Sequence, residues 1–79
     1  MGHARPRPIH LAAKLLQIRQ KLGLSQPQLA KRIGVQRYAD ISKYERDINE
    51  APLTILLSYS RAVNVPLEQI VDDQLDLKL

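Results

Sequence analysis

Ala39, Lys43 and Arg46 recur at intervals of four and three between Gln36 and Asn49. With Ile41 turned to a core and each residue stepping about 100°, these three point away from it, flanked by Gln36, Asp40 and Ser42. Glu45 comes out close to the inward side. An outward face of cations, a hydroxyl and a methyl suits hydrogen bonding to phosphate oxygens and to the base edges of nucleic acid. Such a face needs a support that presents one helix to a partner. Ser25 to Glu45 reads as that support: a short helix, a Gly34-Val35 turn, then a second helix. Small proteins use this arrangement to put a helix into a DNA groove.

Other chemistries lack their residues. There is no cysteine, so no disulfide framework, thiolate zinc site or thiol nucleophile is expected. His3 and His10 have no spaced ligands around them, and a tag or surface role suits them better than a metal site. Ser25, Ser42, Ser58 and Ser60 lack base and acid partners. Asp72-Asp73 reads as a solvated helix end. No glycine-rich phosphate loop occurs. No enzyme, metal or cofactor is expected.

Seventy-nine residues allow one domain, and without disulfides it must stand on helix packing. An apolar fraction of 44% with regular spacing argues for a folded globule. No apolar run approaches the ~18 residues of a membrane span, and the first residues lack a secretory apolar stretch. A soluble cytoplasmic protein is expected. Net charge is +4, unevenly spread: 10 of the 12 Lys and Arg but only 3 of the 8 acids lie in residues 1–49. The basic half contains the helix-turn-helix, as attraction to phosphates requires.

The elements follow from periodicity and punctuation. Residues 1–10 read as a flexible basic arm with Arg5 and Arg7, kept from helix by its prolines. Helix 1 is expected over Leu11 to Leu22, with Leu11, Leu15, Ile18 and Leu22 facing the core and Lys14, Gln17 and Lys21 facing water. Helix 2 spans about Gln26 to Ile33. Ser25 and Gln28 form its capping box, Leu29, Ala30 and Ile33 its inner stripe. Helix 3 spans about Arg37 to Arg46, anchored by Ile41 and Tyr44. Helix 4 is expected from Pro52, as first helical residue, to Val63. Leu53, Leu56, Leu57 and Val63 point inward, and Ile55 and Tyr59 lie near the edge. Asn64 ends it. A short fifth helix starts from Val65-Pro66 and runs through Val71. Residues 72–79 change period: Leu75, Leu77 and Leu79 alternate with polar residues, a strand pattern suited to a dimer contact or to disorder.

From Leu11 to Val71 the chain resembles the Cro and phage-repressor type of helix-turn-helix, the Xre family. The resemblance rests on Leu11, Leu15, Ile18 and Arg19, on Gly23-Leu24-Ser25-Gln26, on the Gly34-Val35 turn, on Tyr44-Glu45-Arg46, and on Leu53 to Val71. It implies an all-α, five-helix, lambda-repressor-like DNA-binding domain over 11–71. Carried over by position, it implies base contacts from Arg37, Tyr38, Ala39, Ser42 and Lys43, and phosphate contacts from Gln26, Arg46 and Asn49. It also implies an ion pair of Arg19 with Glu45 that ties helix 1 to the end of helix 3. The family usually has four residues between the Gly-Val turn and the core isoleucine; here there are five, Gln36 to Asp40. An ungapped alignment would bury Asp40, which is energetically unfavourable. The extra residue is therefore read into the turn or the start of helix 3.

Three functions fit this reading. The first is a sequence-specific regulator of transcription, acting as a homodimeric repressor on double-stranded DNA. The second is the antitoxin of a toxin–antitoxin pair, which binds a toxin protein and represses its own promoter. The third is a protein-interaction module without DNA binding, against which the basic first half argues. A bacterial or phage-derived protein working on the nucleoid is expected.

Overall fold

The computed structural model describes residues 8–79. The basic arm's Arg5 and Arg7, and His3, lie outside the described residues. Five helices follow in order: α1 Leu11–Leu22, α2 Gln26–Ile33, α3 Tyr38–Glu45, α4 Leu53–Val63 and α5 Leu67–Val71. None of the described residues forms a strand. The architecture is all-α, with α1 and α2 each packed on α3 and α4, and α5 packed on α1 and α4.

The start of α2 and the ends of α2 and α4 are set by local signals. At α2, Ser25 Oγ accepts from Gln28 N at 3.2 Å, and Gln28 Oε1 accepts from Ser25 N at 2.8 Å, so two otherwise unpaired donors are satisfied reciprocally. Gly34 ends α2 at φ 78°, a left-handed conformation where a Cβ is strained. Val35 N then reaches back to Ala30 O at 2.8 Å, which swings the chain towards α3. Asn64 ends α4 at φ 58°, a conformation that Asn tolerates better than most residues.

Every helix contributes to the core, α1 and α2 with three buried apolar residues each. Leu15 and Ile18 of α1, Leu29 of α2, Ile41 of α3, Tyr59 of α4 and Ile70 of α5 are fully buried. Burying an aliphatic side chain of this size contributes roughly 1.5–3 kcal/mol. Together they fix the angle at which α3 stands on α1 and α2.

Several positions differ from expectation. Helix α3 is one residue shorter at each end, with Arg37 and Arg46 as its caps. Pro52 is the N-cap of α4 and not its first helical residue. Leu53 is exposed rather than inward, because side chains tilt towards the helix N-terminus and a residue of the first turn leans past the core. Tyr59 belongs to the centre of the core; it stands three residues after Leu56 and four before Val63, within the stripe. Lys14 is buried rather than solvated, three residues after Leu11 and four before Ile18, so it shares their face. The 72–79 tail does not form a strand. Leu77 packs against the core, while Leu75 and Leu79 are exposed.

Candidate nucleic-acid interface

Glu45 is the point at which the first three helices meet. Its side chain is only 5% exposed, and that of Arg19 is 20% exposed. Arg19 Nε donates to Glu45 Oε2 at 2.7 Å and Arg19 Nη2 to Glu45 Oε1 at 3.1 Å. This is the two-pronged guanidinium–carboxylate geometry that gives short, strong hydrogen bonds. A third prong, Arg19 Nη1, donates to Leu24 O in the α1–α2 turn at 3.1 Å. Gln26 Nε2, at the start of α2, also donates to Glu45 Oε1 at 3.1 Å. One carboxylate at the end of α3 thus holds α1 and the start of α2. The hydrogen bond to Glu45, above all, raises the Arg19 guanidinium above its ordinary pKa; burial opposes it.

Tyr59 lies close beneath this group. Burial, and then the charges of Glu45 and Tyr44, push its phenol far above the ordinary value, with Arg19 opposing. Its hydroxyl is buried and has no hydrogen-bond partner among the described residues.

With Glu45 tied inward, the other face of α3 is left to solvent. Arg37, Tyr38 and Ala39 are exposed together at its leading end, Tyr38 to 56%. Ser42 and Lys43, further along, are half-buried. Arg46 and Asn49 are exposed at the far end, where Arg46 Nε donates to Ser42 O at 3.4 Å. Gln26 is half-buried and engaged with Glu45. Gln36 and the extended Arg37 precede α3, and Ile41 is fully buried. Asp40 is only half-buried. Sequence reasoning gave no role to Lys14 or Asp73, both of which make long-range hydrogen bonds. The helical spacing of Lys14 within the Leu11–Ile18 stripe was a usable signal. For Asp73 there was none, because its partners are 63 and 64 residues away.

Among the described residues, no three His, Cys, Asp or Glu gather as a metal site, and no helix is long and apolar enough to cross a membrane. A capped α2, a left-handed glycine turn and a short α3 with one face tied in and one face open define a helix-turn-helix DNA-binding domain. The helix-turn-helix family model matches residues 15–70, and the chain belongs to this family, the Cro/C1-type or Xre family. It is a family of DNA-binding regulatory domains that are not typically enzymes. No curated protein matches the chain.

Proposed function

We propose that the protein is a sequence-specific repressor of transcription that binds double-stranded DNA as a homodimer, with α3 in the major groove. The carrying observation is the grouping of Arg37, Tyr38 and Ala39 at the exposed leading end of α3, opposite the face that Glu45 ties to Arg19 and Gln26. In this reading Arg37, Tyr38, Ala39, Ser42 and Lys43 contact base edges. Arg37 or Lys43 bonds guanine N7 and O6, and the Ala39 methyl meets a thymine methyl. Gln26, Arg46 and Asn49 contact phosphates, which set register without specifying sequence. Arg19 and Glu45 serve as scaffold. The protein works in the cytoplasm on the nucleoid.

The homodimer follows from energetics. One recognition helix spans few base pairs, and a mismatch typically costs only ~1–3 kcal/mol. Two copies on a two-fold axis read half-sites about one helical turn apart, ~34 Å. The less basic last third supplies the contact surface: α5, the end of α4, and the exposed Leu75 and Leu79.

The test is selection of bound sequences from a random DNA pool, with footprint and stoichiometry recorded. A two-fold site bound by two copies is expected. A single-helix footprint bound 1:1 would overturn the dimer, and absence of any enriched sequence would overturn sequence-specific binding.

A further inference from the structure

Helix α1 begins without a cap of its own. His10 occupies the N-cap position with no side-chain cap bond, and the first turn holds no acid. The missing acceptor comes from the other end of the chain: Asp73 Oδ2 accepts from Ile9 N at 2.7 Å and Asp73 Oδ1 from His10 N at 2.9 Å. In the opposite direction α1 sends out Lys14. Its Nζ donates to Gln69 O at 2.8 Å, Asp72 O at 2.9 Å and Leu75 O at 2.8 Å, so all three ammonium protons are used. These carbonyls lie at the end of α5 and in the turn beyond it, where helix carbonyls run out of partners. Lys78 N closes the arrangement by donating to Gln69 Oε1 at 3.0 Å. Apart from Gln69, every residue in this set lies outside residues 15–70 of the family match.

We propose that residues 72–79 are a releasable strap, and that the strap and the first turn of α1 open and close as one unit while α2 and α3 stay folded. The hold is polar and concentrated in two side chains, Asp73 and Lys14. The strap's one residue packed on the core of its own chain is Leu77; Leu75 and Leu79 are exposed on that chain. Neither side can let go alone. Lifting the strap strips the N-terminus of α1 of its acceptor and takes two of the three carbonyl oxygens from the Lys14 ammonium, leaving it Gln69 O alone, a loss that a charged group resists. Fraying the first turn of α1 likewise deprives Asp73 of its donors. Asp72, Asp73 and Gln74 also wall an apolar groove lined by Ile9, Leu53, Leu67 and Val71. Opening the strap removes that wall, so the device changes a surface and not only a chain end. It does not depend on the DNA reading, because its readout needs no DNA.

The test is amide hydrogen exchange on the full chain, for the wild type, Asp73→Ala, and Leu77→Ser, which leaves the α1 cap residues untouched. In the wild type, the amides of Lys14, Leu75 and Lys78 are expected to share one opening equilibrium, more frequent than that of Leu29. Either variant raises exchange at both chain ends by roughly tenfold, Asp73→Ala through the loss of about one charged hydrogen bond and Leu77→Ser through the loss of its apolar burial, and leaves α2 unchanged. Faster exchange in the strap with Lys14 unchanged would overturn the proposal. So would equal acceleration throughout the molecule, or no change at either end.

Discussion

Arg19 and Glu45 face each other across the junction of α1 and α3 with 2.7 Å between Nε and Oε2. The pair is largely buried between helices, so its first effect is on stability. Glu45→Ala leaves the Arg19 guanidinium and Gln26 amide without their acceptor. We expect a loss of about 2–3 kcal/mol, below the range for a fully buried pair because Arg19 keeps part of its side chain in water. Urea unfolding measures it; a loss under about 0.5 kcal/mol, the usual range for surface substitutions, would show that the pair is ornamental.

Tyr59 makes the opposite prediction. Its ring fills the centre of the core, but its buried hydroxyl has no partner among the described residues. Removing an unpaired buried polar group relieves a desolvation penalty of about 1–3 kcal/mol. Tyr59→Phe should therefore be neutral or stabilising, and Tyr59→Ala should lose roughly 3–5 kcal/mol, as large core truncations do. Thermal unfolding of the two variants separates ring from hydroxyl.

The sequence carried the frame well. The bounds of α1 and α2 could be read from leucine spacing, the Ser25–Gln28 box and the two glycines, because these are local signals. The inward turn of Glu45 followed from its angle to Ile41. What could not be read depends on the third dimension. Lys14, expected in water, and Tyr59, expected near the edge of the stripe, are both buried, as their spacing from Leu11, Ile18 and Leu56 allows. Asp73 works only because the chain end returns to α1. Leu77 turns inward without its neighbours because the tail is held by side chains and not by a sheet ladder.

Asp73 gives a pH dependence. The His10 and Ile9 amides, in that order, hold its carboxyl below the ordinary 3.8, and the charges of His10 and Lys14 add to this. A carboxyl lowered on folding stabilises the fold above its unfolded pKa and loses that contribution as pH falls through its folded one. The wild type should lose stability below about pH 4 more steeply than Asp73→Asn. Unfolding midpoints between pH 7 and 2 test it, and parallel curves would contradict it.

Asn64 holds φ 58° at the end of α4 and is exposed. Asn64→Ala should cost about 1 kcal/mol from the left-handed backbone alone, and Asn64→Gly much less. Chemical denaturation of both variants is sufficient, and equal losses would place the cost in the side chain.

Phosphate and base contacts separate by salt and by sequence. Each phosphate neutralised by Lys or Arg adds about −0.9 to the slope of log K against log salt. Arg46→Ala should flatten that slope by about one unit and weaken all duplexes alike. An unchanged slope would remove Arg46 from the phosphate set.

The central claim is that the outward face of α3 reads base edges. Its most direct measurement is the affinity of the wild type and of Lys43→Ala for every single-base variant of the selected site, at one fixed salt concentration. Lys43→Ala should lose discrimination at one base pair per half-site, where the wild type distinguishes bases by about 1–3 kcal/mol, and keep it elsewhere. Uniform weakening with every preference intact would contradict a reading role for Lys43. The same result for Arg37, Tyr38 and Ser42 variants would contradict the placement of α3 in the groove.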